Sequence, residues 1–210
     1  MSPLYYIKNI LPKEYFNFGK ALYFLLFIEI LFNASWSLIG PFFAVFITTQ
    51  IKGGDVILIA TASFLFWISK SLSAPLIGFL SDRLKGIKDE LFFMKFGIIL
   101  NTLTILGYYF SYLPIHIIFL EIIHGIGSSL YYPPRISLLV QLLKEERTSS
   151  YFGLNDSFVG ILIAFSILFG GILINFLGFK NIFLLSAFIC FLPFLIIKKK
   201  LDICAKDLKL

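Results

Sequence analysis

Glu121 and His124 are the residues of this sequence best suited to chemistry, because a carboxylate and an imidazole stand three positions apart in an apolar run. On a helix that spacing puts both groups on one face, where a proton can pass between them. Carboxylate-bridged di-iron bundles use the same Glu-x-x-His spacing, but they need two such pairs and two further Glu. The sequence has one pair. We therefore expect proton exchange here, with no metal site and no cofactor.

Three more charged residues, Glu29, Lys70 and Arg135, interrupt apolar runs. A charge in hydrocarbon costs a few kcal/mol, so such side chains face a bundle interior or a wet cavity. At about 1.5 Å per residue, Glu29 and Lys70 both lie roughly 10 Å from the inner membrane surface, and this common depth predicts that they pair. Arg135 falls near the inner interface, beside Pro133 and Pro134. A purely structural ion pair is the alternative reading of Glu29 and Lys70.

The sequence lacks the short catalytic motifs that are typical of soluble enzymes. It has no His-Glu-x-x-His, no Gly-x-Ser-x-Gly and no phosphate-cradling Gly-Lys-Ser/Thr. Cys190 stands in an apolar run and Cys204 in a basic tail, so we expect no disulfide between them. We predict that the protein is not an enzyme.

The composition is that of an integral membrane protein. Hydrophobic residues make up 59% of the chain and charged residues only 14%, against roughly 25% charged in an average soluble domain. The first residues lack the pattern of a removable signal peptide. A net charge of +6 could suggest a nucleic-acid partner, but in a membrane protein the position of each basic residue matters more than the sum. We expect a lipid bilayer as partner and no nucleic acid.

Six apolar runs are long enough to cross a bilayer as helices. The predicted fold is therefore an all-α integral membrane bundle of six transmembrane helices, occupying residues 21–197. Residues 1–20 form an interfacial segment and residues 198–210 a basic cytoplasmic tail. The predicted spans are 21–47, 56–80, 91–110, 115–143, 152–176 and 179–197.

Basic residues are concentrated on one side of these spans. Only Lys52 and Lys180 lie in the opposite loops. By the positive-inside rule both termini are cytoplasmic, which predicts a multi-pass protein of the plasma membrane. The residues on the basic side are Lys8, Lys13, Lys20, Arg83, Lys85, Lys88, Lys144, Arg147, Lys198, Lys199 and Lys200.

Spans one, two and four carry polar residues at helical steps of three and four, and span five carries a weaker set. These stripes predict that the four spans surround something polar, while spans three and six face lipid. Asn33, Glu121 and His124 come near the midplane, where transporters place substrate and ion sites. The candidate pathway residues are Glu29, Asn33, Trp36, Trp67, Lys70, Glu121, His124, Ser128 and Arg135.

A short charged stretch, Gly78 to Gly86, is predicted as the turn between spans two and three. Its Gly78, Asp82 and Arg83 resemble the signature cytoplasmic loop of the major facilitator superfamily. The run from residue 146 to residue 155, which contains Arg147, resembles the inner loop between the fourth and fifth spans of that family. The resemblance covers about residues 20–197 and corresponds to the amino-terminal half of a member. Glu121 stands where many antiporters of the family have an Arg, so proton-driven drug efflux is not implied.

The resemblance implies a secondary transporter that moves a small solute by alternating access. Members have two parallel six-helix halves, and each half is an inverted repeat of three plus three helices. The chain is then expected to work as a homodimer or with a separate second half, and Asp82 to contact that half. A truncated or split-gene fragment without transport activity is the alternative. Substrate, direction and coupling ion are left open.

Overall fold

A computed structural model describes residues 18–84, 86–143 and 147–199, without the side chain of Lys199. Most of the predicted interfacial segment and the end of the basic tail lie outside these ranges, as do Lys8, Lys13, Lys85, Lys144 and Lys200. The helices are α1 (Lys20–Ser37), α2 (Phe43–Gln50), α3 (Val56–Leu84), α4 (Ile87–Phe110), α5 (Pro114–Leu142) and α6 (Thr148–Lys199).

Five helical stretches in the described ranges are long and apolar enough to cross a membrane, counting α1 and α2 as one. The fifth, α6, has 52 residues. At about 1.5 Å per residue it would measure about 78 Å, more than twice the roughly 30 Å of a bilayer core. A helix of that length cannot be a single crossing.

Gly178 interrupts α6 with φ 76° and ψ 168°, a conformation that only glycine adopts without strain. The interruption coincides with the gap predicted between residues 176 and 179. We call residues 148–177 the first arm of α6 and residues 179–199 the second arm. In the first arm, the Tyr151 hydroxyl donates to the Leu22 carbonyl at 3.4 Å, and Gly170 packs on Leu38. This arm therefore runs in the same direction as α1.

The second arm of α6 runs the opposite way. Phe183 packs edge-on against Phe46, with ring centroids 4.7 Å apart, and the Ser186 hydroxyl donates to the Ser35 carbonyl. Residue numbers thus rise along this arm as they fall along α2 and α1. The chain turns back on itself at Gly178.

The first predicted span, 21–47, is divided between α1 and α2. A 3₁₀ turn over Gly40–Phe42 separates the two helices, and it contains Pro41, which has no N–H to donate. The Phe42 N–H bonds to the Ile39 carbonyl at 3.0 Å instead. This break leaves Gly40 exposed beside α3 and α5.

A close seam joins α3 to α5. A Cβ on Gly125 would come within 1.9 Å of Ser69 Oγ, so only glycine fits between the helices. One turn further, the Ser129 hydroxyl donates to the Lys70 carbonyl at 2.9 Å and accepts from the Ser73 hydroxyl at 2.8 Å. The seam fixes the position of Lys70 relative to α5.

The prediction of a turn from Gly78 to Gly86 is wrong over most of its length, because α3 continues to Leu84. Asp82 and Arg83 lower the hydropathy, but they do not break a helix. The Arg83 guanidinium lies 4.5 Å from the centre of the Phe79 ring one turn earlier. The helix α3 therefore extends beyond the predicted span 56–80, and α4 already begins at Ile87.

The prediction that span three faces lipid requires an exposed helix, and α4 is exposed on one side only. Phe92, Phe96 and Leu103 are exposed. On the other side, Asn101 and Thr104 are fully buried against the rest of the bundle. The least buried helices are instead α3 and α6.

Candidate functional site

A cavity of about 160 Å³ lies where α1, α2, α3, α4 and α5 meet. Five helices contribute because the break between α1 and α2 opens a space beside the α3–α5 seam. Its walls are mostly aromatic, with one carboxylate and one imidazole. The lining residues are Trp36, Ile39, Gly40, Phe43, Ser63, Phe66, Trp67, Tyr108, Glu121 and His124.

Glu121 is the carboxylate of the cavity wall, and it is only 5% exposed. The Tyr108 hydroxyl of α4 donates to its Oε1 at 2.7 Å. Its Oε2 lies 3.3 Å from Nδ1 of His124. The expectation that Glu121 and His124 share one face of a helix is confirmed. Both oxygens of Glu121 thus have polar partners on the cavity wall, a hydroxyl and an imidazole.

The imidazole of His124 is held by aromatic rings. It stacks on Trp36 with centroids 3.8 Å apart and planes 4° from parallel, and Phe66 lies 4.3 Å away. The Trp36 indole N–H is buried and has no hydrogen-bond partner in the part of the chain that the structure describes. The imidazole is thereby oriented toward Glu121, while an indole donor next to it is unused.

The predicted ion pair between Glu29 and Lys70 is wrong. Glu29 instead pairs with Arg135 of α5, and both side chains are buried. Equal depth was a poor guide, because the helix opposite Glu29 is α5 rather than α3. Arg135, which was expected near the inner interface, is also buried inside the bundle. Its ion pair joins α1 to α5.

Lys70 lies among aromatic rings. Its Nζ is 4.8 Å from the ring centroids of Trp67 and Tyr132 and 5.5 Å from that of Phe66. Phe66 and Trp67 are walls of the cavity. The ammonium group is therefore at the rim of the same cavity as Glu121.

Asn33 and Ser128, also predicted on the pathway, do not line the cavity. The Asn33 amide donates to the carbonyl of Glu29 one turn earlier, at 2.9 Å, and Ser128 is buried. The structure thus brings together Trp36, Trp67, Glu121 and His124, with Lys70 at the rim. It separates them from the Glu29–Arg135 pair.

The sequence model of the Major Facilitator Superfamily matches residues 25–201. The chain belongs to the Major Facilitator Superfamily. It is therefore a multi-pass membrane protein and a transporter of the major facilitator type, a class that carries small solutes across lipid bilayers. Neither a curated protein nor a solved structure matches the chain significantly. The resemblance inferred from Gly78, Asp82 and Arg83 is confirmed at the level of the family.

The residues that resemble the superfamily signature lie at the far end of α3 from the cavity. A Cβ on Gly78 would meet no atom within 4 Å, and Asp82 and Arg83 are exposed. Arg147 lies over the Phe18 ring at 5.5 Å. These major facilitator residues form no part of the cavity wall.

Tyr108 is a cavity residue that the sequence reasoning missed. Tyrosine is grouped with the hydrophobic residues in the composition, so span three appeared to offer few polar side chains. A signal was present, because Asn101, Thr104 and Tyr108 follow each other at steps of three and four. That stripe would have placed a hydroxyl on the inner side of the span.

Glu90 is a second missed group, at the other end of α4. It is 3% exposed and accepts hydrogen bonds from Ser137 and, at 2.8 Å, from Gln141. It stands one residue before the predicted third span, so the search for charges inside the spans did not include it. It belongs to the α4–α5 contact and does not line the cavity.

Proposed function

We propose that this chain forms a six-helix bundle that moves a small solute across the plasma membrane by alternating access, as a secondary transporter. The observation that carries the proposal is the contact of Glu121 with both Tyr108 and His124 on the wall of a cavity inside the bundle. A titratable pair beside a space for solute can couple proton movement to solute movement.

The reversal at Gly178 supports six crossings rather than five, with the two arms of α6 as the fifth and sixth. Six crossings are compatible with a repeat of three plus three helices. Lys20, Lys88 and Lys198 then lie on one side of the membrane, which supports cytoplasmic termini by the positive-inside rule.

A second six-helix bundle completes the pathway in this proposal, supplied either by a second copy of the chain or by a separate segment. Two features support it. The cavity of about 160 Å³ is smaller than the roughly 300–1,000 Å³ of ordinary ligand pockets. The exposed sides of α3 and α6 also leave much apolar surface without protein cover. Asp82, exposed at the end of α3, is positioned to contact the positive end of a helix in the second bundle.

The pathway residues divide into two groups in this mechanism. Trp36, Trp67 and Lys70 contact the solute, while Glu121 and His124 carry the proton. Glu29, Asn33, Ser128 and Arg135 lie outside the cavity wall and meet water only when the two bundles tilt apart. Rocking of the bundles about the cavity then alternates access between the two sides.

Substitution of Glu121 by Gln tests the proposal. Wild-type protein in proteoliposomes is given an imposed pH gradient and a panel of labelled small anions, cations and neutral solutes. We expect accumulation of at least one solute, and we expect the Glu121→Gln variant to lose the pH dependence because an amide cannot titrate. Glu90→Gln is the matched control, since Glu90 is equally buried but lies outside the cavity.

Two results would contradict the proposal. Unchanged pH dependence in Glu121→Gln would remove Glu121 from the mechanism. Failure of the wild type to accumulate any solute would argue against transport by this chain in the reconstituted form.

A further inference from the structure

We infer that Lys70 binds the transported solute, and that this solute is a small organic anion, a carboxylate on a planar apolar body. The inference rests on the proposed transport function and adds the charge and shape of the solute. It is based on the position of Lys70, the pairing of the other charges near the cavity and the nature of its walls.

Lys70 does not bring its charge to a membrane surface. It stands at the middle of α3 (Val56–Leu84) and, by the depth of the predicted span, roughly 10 Å from the inner surface. Lysines near helix ends extend their four-carbon stems to the interface, but Nζ of Lys70 lies among the rings of Trp67 and Tyr132 instead. A cation held at this depth is costly unless it has a function or a counter-charge.

Among the described residues, no carboxylate forms an ion pair with Lys70. Within the described ranges, no Asp or Glu oxygen lies within 4.0 Å of Lys70 Nζ, and Nζ donates no hydrogen bond. Glu29 is neutralised by Arg135. Both oxygens of Glu121 already have neighbours, Tyr108 and His124. Lys70 is thus a positive charge at the cavity rim whose donors are unused.

The rings around Lys70 hold the ammonium group without neutralising it. Trp67 and Tyr132 each lie 4.8 Å from Nζ, within the range of cation–π attraction. This attraction lowers the cost of keeping the charge inside the bundle and leaves all three N–H donors for a ligand. The arrangement suits a carboxylate, which accepts charge-assisted hydrogen bonds.

The cavity walls favour a flat apolar body attached to that carboxylate. Trp36 and His124 form a parallel stack, and the Trp67 ring is 60% exposed at the rim, so aromatic faces are available for stacking. An aromatic cavity with a carboxylate could in principle take an organic cation. Here the Lys70 ammonium already lies over the rings and would repel a second cation.

Tryptophan fluorescence provides a direct test, because the chain has two Trp, Trp36 and Trp67, and both line this cavity. The full chain in lipid nanodiscs is titrated with benzoate, with neutral benzamide and with benzylammonium, which share one ring and differ in charge. We expect saturable binding of benzoate, with a dissociation constant lower than that of benzamide by about tenfold or more, the range for a hydrogen bond to a charged group.

Three variants make the test specific to Lys70. Lys70→Met should remove the preference for benzoate over benzamide, whereas Lys70→Arg should retain it because the charge is kept. Lys88→Met, which changes an exposed lysine at the start of α4, should bind as the wild type does. Retained binding by Lys70→Arg also shows that substitutions at this site leave the bundle folded.

Three outcomes would overturn the inference: tightest binding of benzylammonium, an undiminished benzoate preference in Lys70→Met, or no binding of any probe at millimolar concentration. If benzylammonium binds most tightly and a solute still accumulates in proteoliposomes, the solute is not an anion but the proposed transport function is retained. If benzoate binds but no solute accumulates, the proposed transport function is refuted and the anion-binding site at Lys70 is retained.

Discussion

Glu29 and Glu121 are both buried carboxylates in the interior of the same bundle, yet their surroundings differ. Glu29 faces the guanidinium of Arg135 across the α1–α5 contact, away from the cavity. Glu121 lies on the cavity wall, between the hydroxyl of Tyr108 and the imidazole of His124.

The difference separates a group that holds the fold from a group that can change state. Arg135 carries a charge that persists at any ordinary pH, and Glu29 is its partner in an ion pair inside the bundle. The partners of Glu121 are a hydroxyl and an imidazole, neither of which carries a fixed charge, and the proposed mechanism uses this difference to move a proton there. Burial alone does not distinguish the two roles, but the chemistry of the partners does.

The largest effect should follow from loss of Arg135. Arg135→Met leaves the Glu29 carboxylate buried and unpaired, which costs about 3–5 kcal/mol of folding stability. The measurement is denaturant or thermal unfolding in detergent. The double variant Glu29→Leu/Arg135→Met should recover most of the loss, because no charge is then left without a partner. A single variant as stable as the wild type would show that the pair does not fix α1 to α5.

A smaller effect is expected at the other carboxylate. Tyr108→Phe removes one hydrogen bond to Glu121, and because water can enter from the cavity and replace the hydroxyl, the cost should be about 1 kcal/mol. The same unfolding measurement applies. Tyr112→Phe, at an exposed site at the end of α4, is the control and should have no effect. If Tyr108→Phe loses as much folding stability as Arg135→Met, water does not reach Glu121 any more than it reaches Glu29. The two carboxylates would then not differ in the way described above.

The sequence was sufficient for much of the fold, because apolar runs of bilayer length and a glycine between two of them are directly readable. The run from 56 to 80 corresponds to most of α3, and the gap at residues 177 and 178 coincides with the break at Gly178. The Glu121–His124 contact was also predictable, since it depends only on helical spacing.

The remaining features depend on which helices become neighbours. Depth in the membrane suggested Lys70 as the partner of Glu29, but the face of α1 that carries Glu29 lies against α5. Tyr108 was missed for a related reason, because its hydroxyl matters only once α4 packs beside Glu121. Hydropathy also marks where a chain leaves hydrocarbon, which need not be where a helix ends, so the end of α3 at Leu84 was not foreseen.

Water access to the cavity tests the central claim most directly. Single cysteines at Ser63, on the cavity wall, and at Ser35, fully buried between α1 and α6, are compared after Cys190 and Cys204 are replaced by Ala. The protein in lipid is exposed to a charged, membrane-impermeant thiol reagent with and without a pH gradient. We predict that Ser63→Cys is labelled and Ser35→Cys is not. If Ser63→Cys stays unlabelled under every condition, the cavity is sealed and the proposed pathway is refuted.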